Sequence, residues 1–275
     1  MLFAVVAAAL LTTMVRAEKI AVLAPDKTGI SVAAAERLAE ALGDDLVLDP
    51  SQVDAAFRTV AVSDPFNLAA ETAKQIGEVI GCDHFIFVKG DVLRRASLER
   101  PTYFEAYAAI FVVSTRTGQL VVWKLESAEA ADASTARISL FKELGPAARE
   151  LISRVNSSAN AEIAEKDYRG FPEVPDADSP AGRNFRAPVP FNRIKPEYTR
   201  LAYLYDVTAT VEALVDLDQD GAVIHVQIVR WAGFGLDEAV VDVIRKMNWR
   251  PAERGGRALP SRFLLRYNFK KIEKQ

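Results

Sequence analysis

The clearest pattern of apolar and polar positions lies in the last third of the chain. Residues 207–215 and 223–229 are rich in β-branched side chains, and Asp220-Gly221 between them suits the positive φ values of a tight hairpin turn. After this hairpin, apolar residues recur at the spacing of one helical face, namely Leu236, Ala239, Val240, Val243, Ile244 and Met247. We expect this helix to end before Pro251, because proline lacks a backbone donor and restricts the residue before it.

A final strand is predicted over residues 262–269. Its alternating apolar residues fall on one face, and they are Phe263, Leu265, Tyr267 and Phe269. Residues 253–258 before this strand are expected to form a loop. The carboxy-terminal part is therefore predicted to be a small antiparallel sheet with two helices on one side.

The first half of the chain alternates between short apolar runs and amphipathic stretches. The apolar runs predict strands over residues 20–23, 46–48, 84–89, 104–114 and 120–125. Helical spacing predicts helices over residues 32–42, 51–57, 68–80 and 139–155, with Ser51 as the cap of the second. This order predicts an α/β sandwich with a partly parallel sheet, so that the whole chain is α+β.

Composition favours two separate units. The 275 residues are 50% hydrophobic, which is enough for two cores. The formal charge of −3 is uneven, since residues 18–185 are acidic and the chain from Arg186 onward is basic. We predict domains over residues 18–158 and 187–275. The segment 159–186 between them is predicted to be a linker, because prolines recur from residue 172 to residue 190; Phe171, Phe185 and Phe191 suggest that parts of this stretch dock on a neighbour.

Residues 2–14 form an unbroken run of apolar or small polar side chains. As a helix this run would span about 20 Å, short of the roughly 30 Å hydrocarbon core of a membrane. We therefore predict a signal peptide over residues 1–17, cleaved after Ala17, and a periplasmic protein with no stable membrane span after cleavage. An uncleaved anchor in the inner membrane, facing the periplasm, is the alternative. Because no cysteine follows the run, a lipoprotein is not expected.

The last third resembles the TonB carboxy-terminal domain over about residues 187–272. The matching features are Lys195-Pro196-Glu197-Tyr198, the Asp-x-Asp-Gly turn, the Leu-Asp-Glu-Ala sequence that ends at Ala239, Trp249-Arg250-Pro251-Ala252, and Gly255-Gly256 before the final strand. The chain departs from the family pattern at Tyr198-Thr199, at Tyr205-Asp206-Val207 and at Met247-Asn248-Trp249.

This resemblance implies a non-enzymatic protein of the Gram-negative cell envelope. In the family, the last strand receives a short segment from an outer-membrane TonB-dependent transporter, and an exposed sheet edge offers the backbone groups for such pairing. The partner-binding residues implied here are Arg262, Leu264, Arg266 and Asn268 in the last strand, with Lys195, Pro196 and Tyr198 nearby. Pairing of this edge with a second copy, as a homodimer, or with the chain's own linker is the alternative.

The first half resembles the amino-terminal domain of TolB and related CsgG-type envelope proteins. The residues that carry this resemblance are Ile20-Ala21-Val22-Leu23, Ser51-Gln52-Val53-Asp54, Ile80-Gly81-Cys82-Asp83-His84 and Thr115-Arg116-Thr117-Gly118. The resemblance implies a second surface for protein contacts rather than an enzyme.

The residues that could carry chemistry are few. His84 and His225 lie in predicted strands, and the sequence has no HExxH, paired-cysteine, GxSxG or GxxxxGK[ST] motif. Cys82, the single cysteine, has apolar neighbours and is expected to be a buried small hydrophobe; a reactive thiol is the alternative. We expect no cofactor, no bound metal and no nucleic-acid partner.

Three local motifs have competing interpretations. Asp216-x-Asp218-x-Asp220-Gly221 opens like a calcium-binding loop, but its twelfth position is Gln227 and both flanks read as strands, which favours a hairpin turn. Asn67 is expected to cap a helix. Arg94-Arg95 is expected to lie in a solvated loop, with a pocket for a small anion as the alternative.

Three functions follow from these observations. We favour a periplasmic TonB-family protein that binds an envelope partner by strand addition. A membrane-anchored TonB energy transducer for outer-membrane transport would need the uncleaved amino-terminal helix. An envelope enzyme or small-ligand binder would need a deep polar cleft in the first half.

Overall fold

The computed structural model describes residues 18–164 and 170–271, so the predicted signal peptide lies outside the described residues. The chain is α+β, as predicted. In the described ranges no helix is both long enough and apolar enough to cross a membrane.

The first half forms a four-stranded sheet with the order β1-β2-β3-β4. Its strands are β1 (Ile20–Leu23), β2 (His84–Arg95), β3 (Tyr103–Ser114) and β4 (Leu120–Ala130). β1 and β2 are parallel, whereas the other neighbours are antiparallel, so the predicted mixed sheet is confirmed. Residues 46–48 do not form a strand, since only Val47 makes an isolated bridge to Ile20.

Four helices belong to this half: α1 (Gly29–Leu42), α2 (Pro50–Phe57), α3 (Ala70–Ile80) and α4 (Ala133–Ala164). The cap of α2 is Asp49, whose carboxylate accepts from the N–H of Gln52 at 3.0 Å, and not Ser51 as expected. α1 and α4 cover one face of the sheet through Leu38, Leu140 and their neighbours. α4 also runs well beyond the predicted residues 139–155, into the segment expected to be linker.

The carboxy-terminal part contains a three-stranded antiparallel sheet with the order β12-β7-β8. Short strands β5 (Phe185–Arg186) and β6 (Val189–Pro190) and helix α5 (Arg200–Leu204) precede it. It then runs through β7 (Ala209–Leu217), β8 (Val223–Arg230), α6 (Leu236–Lys246), β9 (Trp249–Arg250), β10 (Ala252–Arg254), β11 (Arg257–Leu259) and β12 (Ser261–Phe269).

The predicted hairpin, helix and last strand are confirmed. Gly221 has φ +84°, and the Asp218 carboxylate accepts from the N–H groups of Asp220 and Ala222, so this side chain closes the β7–β8 turn. The predicted loop over residues 253–258 is wrong. β10 and β11 form a hairpin there, and β10 also pairs with β5, so the end of the expected linker belongs to a sheet.

The two parts share one hydrophobic core. The face of the first sheet opposite α1 and α4 presents Phe85, Phe87 and Phe111, and this face joins the cluster that includes Val211 of β7 and Leu236 of α6. Aromatic rings cross between the parts at Phe111–Trp231 (5.6 Å), Tyr107–Tyr205 (4.6 Å) and Trp123–Phe234 (4.7 Å). The two parts are therefore not separate hydrophobic units.

Candidate functional site

The candidate site is the outer edge of β12. This strand pairs with β7 along its whole length, from Ser261 opposite Leu217 to Phe269 opposite Ala209. Phe263, Leu265 and Tyr267 turn towards the core, whereas Leu264 is 48% exposed on the other face. The four predicted residues of β12, Arg262, Leu264, Arg266 and Asn268, therefore share one face and are called the β12 stripe below.

The direction of the free backbone groups follows from Arg262. Its N–H donates to the carbonyl of Pro172 at 2.8 Å, and its carbonyl accepts from the N–H of Val174 at 2.9 Å, so both groups point away from β7. Because backbone groups alternate along an antiparallel pair, those of the other stripe residues, Leu264, Arg266 and Asn268, also point outward. In the described ranges no strand pairs with this edge beyond Arg262.

The chain's own linker occupies the first position of this edge. Glu173 forms a parallel bridge with Arg262, flanked by the two hydrogen bonds of Pro172 and Val174. The self-pairing alternative is thus realised at one position, and the rest of the edge stays available to another extended segment.

Two buried carboxylates of β7 lie opposite the arginines of the stripe and form ion pairs with them. Arg262 donates two hydrogen bonds to Asp216, at 2.6 and 2.7 Å, and Asp216 is 1% exposed. Arg266 donates to Glu212 at 2.6 Å, and Arg230 of β8 donates to the same carboxylate at 3.2 Å. These arginines satisfy carboxylates that would otherwise be buried without a partner. Asp216 is consequently engaged with an arginine and does not face the turn with Asp218.

Apolar and amide groups complete the stripe. Leu264 lies opposite Leu214, between the two ion pairs, and Asn268 lies opposite Thr210, whose hydroxyl donates to the Asn268 side chain at 2.9 Å. An incoming strand would therefore meet one exposed leucine between two arginines, each of which is paired with a carboxylate.

The other three predicted partner residues precede α5. Lys195 is exposed, whereas Pro196 and Tyr198 are half-buried. The Tyr198 hydroxyl donates to the carbonyl of Val207 at 2.8 Å, and burial raises the pKa of this phenol. Tyr198 thus ties this segment to the residues before β7 and does not lie in the β12 stripe.

Two expectations about the first half are wrong. The Asn67 side chain does not cap α3, whose cap is Ala69. It donates instead to the carbonyls of Thr210 and Trp231, at 2.8 and 2.7 Å, and accepts from the N–H of Thr210 at 2.9 Å. It is a bridge between the two parts, because its amide group can donate two hydrogen bonds to carbonyls and also accept one from an N–H.

Arg95 is likewise part of the contact between the two parts. Its guanidinium donates to Glu105 at 2.7 Å and to the carbonyl of Leu204 at 3.0 Å, and Glu105 also accepts from the Tyr205 hydroxyl. Arg94 is exposed and donates to Thr102 at 3.3 Å. The Arg94-Arg95 pair is thus neither a solvated loop nor an anion pocket.

This contact surface was not predicted from the sequence, although one signal for it was present. Tyr205-Asp206-Val207 departs from the TonB family pattern, and the Tyr205 ring now packs on Tyr107 of the first half. Asp206 has φ +53°, a conformation that aspartate adopts more readily than most residues.

The remaining candidate residues are Cys82, His84 and His225, and their surroundings are those of structural residues. Cys82 is buried, as predicted, and burial raises the pKa of its thiol to about 12, which disfavours the reactive thiolate. His84 is 3% exposed at the start of β2, with its Nδ1 3.4 Å from Glu18. His225 of β8 has its Nδ1 3.6 Å from Asp216.

Part of the chain, which includes β12, matches a known protein family. Residues 194–270 match the family described as the Gram-negative bacterial TonB protein C-terminal. This part of the chain is a TonB C-terminal domain. The match spans α5 to β12 and includes the whole three-stranded sheet; the first half lies outside it.

Three solved structures are similar over parts of the chain. The Pseudomonas aeruginosa TonB C-terminal domain shares 22% identity, covering 32% of this chain and 89% of that one, with a TM-score of 0.27. The hypothetical protein CT253 of Chlamydia trachomatis shares 14% identity over 51% of this chain and 96% of that one, with a TM-score of 0.32. Lipoprotein GNA1162 of Neisseria meningitidis shares 15% identity, covering 50% and 99%, with a TM-score of 0.31.

No curated protein matches the chain. The resemblance of the first half to TolB and CsgG-type domains stays a prediction.

Proposed function

We propose that this protein is a non-enzymatic periplasmic protein that binds an envelope partner, of the outer-membrane transporter type, by strand addition to the outer edge of β12. The observation that carries the proposal is the pairing of residues 172–174 with Arg262. This edge already accepts an extended segment at its first position, and the next outward backbone groups follow in the same line.

The side chains of the stripe suit this role. A partner strand gains affinity from main-chain hydrogen bonds and specificity from alternate side chains. The exposed Leu264 offers an apolar contact, while Arg262 is held by Asp216 and Arg266 shares the carboxylate of Glu212 with Arg230. A short segment with an apolar residue opposite Leu264 fits this edge.

The periplasmic location rests on the predicted signal peptide and on the TonB C-terminal domain, which supports an envelope protein that contacts partners. In this proposal the first half is a platform that holds the domain through the shared core and offers a second contact surface.

A capture experiment with a proline substitution tests the proposal. Residues 18–275 would be immobilised as parent, Leu264→Pro and Leu264→Ala, and exposed to detergent-solubilised outer membranes. Proline removes the outward N–H at position 264, whereas alanine keeps it. We expect the parent and the alanine variant to retain outer-membrane transporters and the proline variant to lose them.

Equal capture by the proline variant and the parent would contradict strand addition at β12. Circular dichroism of each bait checks that the variants are folded. Sedimentation of the parent at increasing concentration checks the homodimer alternative, in which this edge is covered by a second copy.

A further inference from the structure

Exposed apolar side chains cluster beside the turn between β7 and β8. Phe191 was expected to dock on a neighbouring part of the chain, yet it is 69% exposed. Its N–H donates to the carbonyl of Asn248 at 2.9 Å, which fixes its backbone beside the start of β9. Ile224 of β8 is 47% exposed and lines the same open cleft as Phe191. Ile194 is 40% exposed and can lie no more than about 11 Å from Phe191 along the chain. Three large apolar side chains therefore protrude from one region of the surface.

Basic side chains surround these apolar residues. Arg193 and Lys195 belong to the same segment, Arg245 of α6 lines the cleft, and Arg250 of β9 pairs with Val189 of β6. All four basic residues are exposed, and none of them forms an ion pair within the part of the chain that the structure describes. The arginines of the β12 stripe, by contrast, are held by carboxylates. The four basic side chains can therefore meet a charge from outside the chain.

The acidic residues in the same region are fewer. Asp220 lines the cleft at the β7–β8 turn, and Glu197 follows two residues after Lys195, so the region keeps a net positive charge. Lysine is depleted in the core of a protein–protein interface, whereas here cations alternate with the apolar side chains. Apolar residues with basic neighbours are typical of surfaces that lie on anionic membranes, because long basic side chains can reach phosphates while their stems lie on apolar surface.

We propose that an anionic phospholipid bilayer binds this region, called the basic–apolar face below, which comprises residues 191–195, Ile224, Arg245 and Arg250. Its three exposed apolar side chains enter the boundary between lipid headgroups and acyl chains, and its four basic side chains contact the lipid phosphates. Lys195 is shared with the partner residues that the TonB resemblance implies. The face contains no residue of β12, so contact with a membrane leaves strand addition possible.

Flotation with lipid vesicles tests this proposal. Residues 18–275 would be mixed with vesicles of phosphatidylcholine alone, or of equal parts of phosphatidylcholine and phosphatidylglycerol, at an ionic strength of about 0.15 M. We expect the protein to float with the anionic vesicles and to stay in the dense layers with the neutral ones. Additional salt should weaken the binding, because salt screens charges at exposed surfaces.

A first pair of variants tests the apolar contact. Phe191→Ser with Ile194→Ser is expected to weaken binding to the anionic vesicles about tenfold, because it removes apolar area from the boundary. The control is Val79→Ser with Ile138→Ser, which changes apolar residues of the first half that are 48% and 54% exposed. The control should bind as the parent does.

A second pair tests the charge. Arg193→Gln with Arg245→Gln should weaken binding about tenfold and reduce its dependence on salt, since each basic residue near an anionic surface adds to the attraction. Arg137→Gln with Arg149→Gln removes the same charge from exposed positions of α4 and should have no effect. Leu264→Pro should also float as the parent does. Circular dichroism checks that each variant is folded.

The proposal is overturned if the protein does not float with anionic vesicles, or floats equally with neutral ones. It is also overturned if either variant of the face binds as the parent does, or if a control pair or Leu264→Pro loses binding to the same extent. Full competition by soluble glycerol phosphate at the same phosphate concentration would assign the basic residues to a free phosphate. A lower sedimentation coefficient of Phe191→Ser with Ile194→Ser than of the lipid-free parent would assign the face to a second copy, which also contradicts the proposal.

Discussion

Replacement of Asn67 by alanine tests whether the two halves of the chain are one cooperative unit. The Asn67 side chain makes three hydrogen bonds to backbone groups of the carboxy-terminal part, two to Thr210 and one to Trp231, and the residue is 8% exposed. In the alanine variant these three groups lose their partner within a largely buried contact.

The expected loss in free energy of unfolding follows from the cost of leaving buried polar groups without a hydrogen-bond partner. Each such group costs about 1–3 kcal/mol, and partial access of water to the contact reduces the sum. We therefore expect Asn67→Ala to lower the free energy of unfolding by about 3–5 kcal/mol. That is a large fraction of the roughly 5–15 kcal/mol that stabilises a typical domain.

Urea unfolding followed by two probes measures this change. Tryptophan fluorescence reports on Trp123, Trp231 and Trp249, and far-ultraviolet circular dichroism reports on the whole chain. The parent should unfold in one transition with coincident probes, because the hydrophobic core is shared. In the variant the transition should move to lower urea, or the two probes should separate as the halves uncouple.

The control is Asn192→Ala, which removes the same side chain at an exposed position. It should change the free energy of unfolding by less than about 0.5 kcal/mol. If Asn67→Ala were as stable as this control, with coincident probes, the contact between the halves would not stabilise the protein, and our account of the shared core would be refuted.

Three further substitutions give separate outcomes. Trp249→Ala should lower the free energy of unfolding by about 3–5 kcal/mol and Leu264→Pro by less, because Trp249 is buried against Phe263 whereas the N–H of Leu264 points outward; urea unfolding decides the order. Gly233→Ala should destabilise more than Gly255→Ala in thermal unfolding, since both have positive φ but an added Cβ at Gly233 alone would meet Trp123, at 2.5 Å. Burial raises the pKa of Asp237 to about 7 despite the N–H groups of Gly233 and Ala232, so the folded protein holds this proton more tightly than the unfolded chain. The parent should therefore lose up to about 4 kcal/mol of stability as the pH rises from about 4 through 7, and Asp237→Asn should show a flatter slope in urea titrations across that range.

Local patterns explain what the sequence could predict. The alternation of Phe263, Leu265 and Tyr267 and the helical spacing from Leu236 depend only on neighbouring residues, so β12 and α6 lie within a residue or two of their predicted limits. The same alternation placed the four stripe residues on one face of β12, although their role in binding a partner stays a prediction.

Non-local contacts explain most of what was missed. β5, β10 and β11 are two or three residues long, which is too short to show a period. The charge difference between the halves favoured separate units, but charge resides on the outer surfaces and says little about the inner faces. A better signal was the continuous apolar run of β3, residues 106–113, because a strand that is apolar on both faces needs a cover on both.

The shared core also explains why the two edges of the carboxy-terminal sheet differ. The second face of the first sheet is covered by α2 and α3 together with the carboxy-terminal part, and the bridge between Arg230 and Ala69 turns the β8 edge towards the first half. β12 therefore lies at the opposite edge, where the linker pairs with it at Arg262. A partner strand can add to β12 without disturbing the core, whereas β8 lies against the first half. Loss of the contact made by Asn67 should consequently weaken the attachment of the two halves while leaving the β12 edge able to pair.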